Sequence, residues 1–87
     1  MSQVGGNLEQ LTSLKGKFNT EADDVQRLIG SINGALTNTW WVGPAAERFK
    51  DAWQTEYVSA LNKLKTALID AGREVGNREQ ALRNAGT

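Results

Sequence analysis

The sequence contains no cysteine and no histidine. Disulfide staples, thiol redox switching, Cys/His zinc sites and imidazole acid–base catalysis are therefore excluded. Neither charge sign predominates: ten basic side chains balance ten acidic ones, which leaves no electrostatic footprint for nucleic acid or an anionic membrane. No apolar run approaches the ~18–20 residues that a membrane span needs, so no stable insertion is expected. The opening MSQVGGNLEQ has neither the basic region nor the apolar stretch of a secretory signal peptide. Serine and threonine are scattered with no base to activate them, so nucleophilic catalysis has no candidate. The acids Glu21, Asp23 and Asp24 read as a solvated face, because neighbouring residues on a helix point in different directions. Composition thus predicts a small, soluble, non-enzymatic chain with no cofactor and no metal. At 87 residues it is one domain, short enough to need idealised helix packing or an oligomer to bury enough surface.

What the sequence does have is period. Val4, Leu8, Leu11, Phe18, Ala22, Val25, Ile29, Ile32 and Leu36 follow alternating four- and three-residue steps, broken only by Lys15. This is the stripe of a long amphipathic helix, and Leu14, Leu28 and Ala35 widen it. In the second half Ala46, Trp53, Ala60 and Ala67 recur every seven residues, as do Tyr57, Leu64 and Ala71. A third column, Leu61, Leu68, Val75 and Leu82, runs beside them. Asp23/Arg27, Glu74/Arg78 and Glu79/Arg83 are spaced for helical ion pairs worth a few tenths of a kcal/mol each.

Between the halves lies NTWWVGPAAERF, with the chain's one proline. Proline is tolerated at a first helical position, where its missing N–H would be unpaired anyway. The expected organisation is a flexible N-terminus over 1–6, helix 1 over 7–39, a turn over 40–43, helix 2 over 44–84 and a tail over 85–87. Asn7 is the expected cap of helix 1, Glu47 suits the positive end of helix 2, and Gly86 is its expected stop. A linker this short makes the helices antiparallel neighbours, rods of roughly 50–60 Å at 1.5 Å per residue. The fold class is therefore all-α, an antiparallel helix-turn-helix hairpin. Its expected hairpin or dimer core is Leu11, Phe18, Val25, Ile29, Ile32, Leu36, Phe49, Trp53, Tyr57, Leu61, Leu64 and Leu68. Two rods leave apolar columns exposed, so a second hairpin is expected to complete a four-helix bundle.

Several residues read two ways. Lys15 either lies along the seam with its ammonium in water or fixes register by meeting an acid across the bundle. The pairs Gly30/Gly34 and Gly72/Gly76 mark either close helix approach or locally weak helix. Trp40 and Trp41, placed where a turn is ordinarily polar, either plug the end of the bundle or form a recognition surface.

Trp41-Val42-Gly43 at mid-chain, followed by AAERF with Phe49 on the first turns of helix 2, resembles the W-x-G family. These are small type VII secretion proteins of the early secreted antigenic target type. The resemblance covers nearly the whole chain. It implies a hairpin that dimerises head-to-tail with itself or a paralogue. Such a dimer leaves the cytoplasm folded, without a cleavable signal peptide, through a complex driven by a secretion ATPase. It also implies an export signal made from the W-x-G turn of one subunit and a C-terminal Tyr-x-x-x-Asp/Glu motif of the other. On that comparison Trp41 and Gly43 are the turn residues, Glu79 is the motif acid, and Val75 stands where tyrosine is expected. The implied role is the partner-dependent half of a heterodimer, with a homodimer left open. Two other classes fit the same pattern: a self-assembling, needle-like hairpin subunit, and a membrane-active amphipathic helical protein.

Overall fold

The Asn7 side chain opens the first helix by accepting the Gln10 backbone N–H at 2.9 Å, pairing one of the donors that a helix start leaves free. The structure, a computed structural model, describes residues 5–86. Val4, most of the expected flexible N-terminus and Thr87 lie outside the described residues. Helix α1 runs Leu8–Asn38, and Thr39 ends it in an extended conformation. Helix α2 is Pro44–Ala52, a π-helical turn follows at Trp53–Tyr57, and α3 continues as Val58–Ala85. Helix 2 is thus one rod with a single wide turn in it, and the described residues contain no strand. Truncating the cap, Asn7→Ala, is expected to cost about 1 kcal/mol in a thermal melt.

Gly43 explains why the chain can reverse where it does. Its φ of 116° lies in a region that side chains disfavour, and its carbonyl accepts the Glu47 N–H at 3.1 Å to start α2. Pro44 then occupies the first helical position as expected. The rods lie antiparallel in a molecule of 64 × 21 × 19 Å.

The α1 stripe packs largely as its period predicts. Leu8, Leu11, Phe18, Val25 and Leu36 are half-buried, and Ala22 and Ile29 are buried. On helix 2 the seam positions are Ala46, Lys50, Trp53, then Val58, Leu61, Lys65, Leu68, Gly72, Val75, Glu79 and Leu82. Every step is three or four residues except one, the five-residue step from Trp53 to Val58 across the π turn. A π turn accommodates one extra residue in an α-helix.

That extra residue decides which members of the expected hairpin or dimer core face α1. Beyond Trp53 the seam passes to the Leu61/Leu68/Val75/Leu82 column. The columns continuing Ala46/Trp53 and Tyr57/Leu64 turn outward, leaving Tyr57 51% and Leu64 48% exposed. Phe49, beside the seam position Lys50, is exposed as well. Ile32 is also exposed, and its neighbour Asn33 is half-buried in its place. Asn33 Oδ1 accepts the Trp53 indole Nε1–H at 2.7 Å and the Gln54 amide at 3.3 Å, drawing Asn33 rather than Ile32 toward helix 2. Helix boundaries differ from expectation by one residue: α1 ends at Asn38 and α3 at Ala85.

The glycine pairs behave oppositely. Gly72 is buried, and a Cβ there would sit 3.1 Å from Phe18 Cβ. A Cβ on Gly76 would sit 3.2 Å from Lys15 Cδ, so the Lys15 stem lies along the seam over that glycine. Gly30 and Gly34 face open space. Surface charge is organised within helices: Glu74/Arg78 and Glu79/Arg83 pair as their spacing predicts, whereas Arg27 pairs with Asp24 instead of Asp23.

Candidate functional site

The two flanks of the hairpin differ in chemistry. On one flank α1 presents Thr12, Asn19, Gln26 and Asn33, seven residues apart. Three of these reach helix 2: Thr12 Oγ1 donates to Glu79 Oε1 at 2.8 Å, Lys65 Nζ donates to Gln26 Oε1 at 2.7 Å, and Trp53 donates to Asn33. Polar groups on this flank are thus used in holding the rods together. Near the turn it carries an open cleft of about 390 Å³ lined by Asn33, Leu36, Thr37, Lys50, Trp53 and Gln54. The cleft brings amides and a hydroxyl together with one ammonium.

The other flank is apolar and unpartnered. Helical spacing puts Leu14, Leu28 and Ala35 of α1, together with Tyr57, Leu64 and Ala71 of helix 2, on that side of the seam. Leu14, Leu28, Tyr57 and Leu64 are exposed large side chains. A row of rings joins this flank to the turn. Trp41 and Phe49 have centroids 5.5 Å apart, Phe49 and Tyr57 6.5 Å, and Tyr57 stacks on Trp53 at 6.3 Å. Aromatic pairs prefer separations of about 4.5–7 Å in offset or tilted arrangements. The Trp41 carbonyl accepts from Lys50 Nζ at 3.3 Å, which ties the turn to α2.

The two turn tryptophans therefore differ. Trp41 is anchored on Phe49 and only 38% exposed, whereas Trp40 stands 88% exposed. Trp41 and Gly43 together form the apex: one supplies the ring, the other the backbone angle that lets α2 start beneath it.

Val75 and Glu79 are not beside that apex. They sit near the far end of α3, roughly 50 Å away at 1.5 Å per residue, so one chain does not bring the two expected export elements together. Both are half-buried seam positions rather than a displayed motif. Val75 shares an open surface hollow with Leu11 and Phe18. The Glu79 carboxylate accepts from Arg83 at 2.6 Å as well as from Thr12. These bonds, Arg83 first and Thr12 second, hold its pKa below the ordinary carboxylate value. A depressed carboxylate contributes stability above its unfolded pKa and loses that contribution as pH falls through the folded value. Acidifying from pH 7 to about 3 should therefore lower the melting temperature of the native chain more than that of Glu79→Gln. Equal losses would mean that Glu79 carries no such linkage.

Among the described residues there is no group of three acidic, histidine or cysteine side chains able to hold a metal ion, and no helix long and apolar enough to cross a membrane. Reasoning from sequence missed Asn33 and the π turn. The available signal was the pair of apolar columns in the second half that differ by one residue, Leu61/Leu68 beside Ala60/Ala67. No family model matches the chain, and no curated protein or solved structure matches it.

Proposed function

We propose that this chain is a non-enzymatic recognition protein of the W-x-G type, a type VII secretion substrate that leaves the cytoplasm as a folded pair of hairpins. The observation that carries the reading is the apex. Trp41 is held over Phe49, Gly43 takes a backbone angle suited to glycine, and both sit where two long antiparallel helices meet. A rigid indole on a fixed turn suits a contact point, because tryptophan concentrates binding energy in interfaces. The apolar flank gives the hairpin a surface for a second hairpin, either another copy or a W-x-G paralogue. The secretion ATPase is the machinery that would read the assembled pair.

Val75 and Glu79 favour the partner-dependent form of this reading. With both residues in the seam, the chain contributes its apex and a paralogue contributes the tyrosine motif. The test is secretion of the tagged chain from a bacterium with a type VII system, with and without the co-expressed paralogue. Export is expected only with the paralogue, and Trp41→Ala should reduce it about tenfold, the effect of losing ~1.4 kcal/mol at a recognition hot spot. Circular dichroism would establish that the variant keeps its helix content. Undiminished export of the chain alone would overturn partner dependence, and undiminished export of Trp41→Ala would overturn the role of the apex.

A further inference from the structure

The second helix carries two apolar columns, and the structure uses both. Upstream of the π turn Ala46 and Trp53 face α1; downstream the seam is Val58, Leu61, Lys65, Leu68 and Gly72. The column left outside is Tyr57, Ala60, Leu64 and Ala67, with the half-buried Ala71 at its end beside Phe18. The outer column has no charged member, whereas the one facing α1 includes Lys65 and a glycine. The Trp53–Asn33 bond anchors the rod at one end of this stretch, and the Thr12–Glu79 bond anchors it at the other. Between them the rods are tied by the exposed Lys65–Gln26 bond.

We infer that the π turn is a movable splice. Carried from 53–57 to the neighbourhood of 71–75, it turns the intervening segment by about 100°, the angle of one residue in an α-helix. Tyr57, Ala60, Leu64, Ala67 and Ala71 then face α1, and Val58, Leu61, Lys65, Leu68 and Gly72 turn outward. The seam then reads in steps of three and four residues, through Trp53, Tyr57, Ala60, Leu64, Ala67, Ala71 and Val75, so the anchors at both ends stay in place. The displaced i→i+5 bond, now Val58 N–H to the Trp53 carbonyl, is exchanged for an ordinary helical one.

The resting position follows from Gly72. Its α-carbon lies so close to α1 that a methyl group there would stand 3.1 Å from Phe18 Cβ. Bringing Ala71 into that place forces Phe18 to give way by a few tenths of an ångström, so the register with Gly72 inside is the ground state. The device alters what a partner meets. At rest the apolar flank offers an aromatic, uncharged column; after the shift Leu61, Lys65 and Leu68 face the opposite flank, and Glu56, Ser59, Lys63, Thr66 and Asp70 stand where that column was.

The absence of native cysteine makes the two registers separately trappable. The resting Phe18 and Gly72 positions lie close to the ~3.5–4.5 Å between Cβ atoms that a disulfide spans. Phe18→Cys/Gly72→Cys reports the resting register, and Phe18→Cys/Ala71→Cys reports the shifted one. Each pair is made in the full chain and in a chain lacking Thr55, where Trp53 and Val58 are separated by a regular four-residue step. All four are oxidised in a glutathione buffer at low protein concentration, and the intramolecular bond is quantified by mass spectrometry. The 18/72 bond is expected in both backgrounds, and the 18/71 bond only where Thr55 is present. Failure of the 18/71 bond in the full chain would overturn the splice, as would its equal formation in the deleted chain. Failure of the 18/72 bond would overturn the resting register itself.

Discussion

Trp53→Ala is expected to cost about 3–5 kcal/mol, the range for removing a large buried aromatic. Stability of a whole domain is only about 5–15 kcal/mol, and a hairpin with few fully buried side chains belongs at the low end. Among the described residues the buried apolar side chains are Ala22, Ile29, Ala46 and Trp53, and Trp53 is much the largest of them. Its loss leaves a cavity in the seam, deprives Asn33 Oδ1 of its indole donor, and removes the ring on which Tyr57 stacks. The melting temperature should fall by tens of degrees, since each kcal/mol shifts a domain of this size by about 4–8 °C. Trp53→Phe separates the contributions. It keeps a ring and removes the N–H, so its cost should include about 1 kcal/mol for the lost hydrogen bond. Urea melts at one fixed protein concentration would make the comparison, because any association adds its own stability. A cost below about 1 kcal/mol for Trp53→Ala would mean that the helices are held mainly by something other than this contact.

Trp53 also marks where reading the sequence succeeds and where it stops. The α1 stripe is legible because its rungs repeat without interruption and a single partner covers them. Asn7, Gly43 and Pro44 are legible for a different reason. Capping, left-handed backbone and a missing N–H are properties of individual residue types, and they need no knowledge of what lies opposite. The second helix resists because its columns compete. Tyr57 and Leu64 continue the phase of Trp53, and Leu61 and Leu68 are just as apolar one step away. Side-chain period alone cannot choose between them. The choice is made by α1: Asn33 holds the indole, and Gly72 lets Phe18 approach. Both are small contributions in composition and large ones in geometry. The apex was legible as a turn, but the difference between its two tryptophans was not. Only the placement of Phe49 one turn into α2 anchors Trp41 and leaves Trp40 free.

The glycine pairs give the second large effect, with opposite signs on the two helices. Gly72→Leu should destabilise by about 1–3 kcal/mol or more, as overpacking a close helix contact does. Its first side-chain carbon would already stand 3.1 Å from Phe18 Cβ, 3.4 Å from Asn19 Oδ1 and 3.6 Å from the Lys15 carbonyl. A leucine carries three further carbons into that space, and the rods must separate where Lys15 crosses Gly76. Gly30→Ala and Gly34→Ala meet nothing within 4 Å in the hairpin, so each should raise stability by up to ~1 kcal/mol through helix propensity alone. Identical spacing thus has different causes on α1 and α3, and thermal melts of the three variants would show it. The α1 pair carries a second consequence. If another hairpin packs closely over Gly30 and Gly34, alanine there should stabilise the isolated chain at low concentration and weaken its association at high concentration. Melts repeated across a hundredfold range of protein concentration separate the two cases. A stabilisation that stays constant across the range assigns those glycines to open surface, and one that reverses places them in an interface.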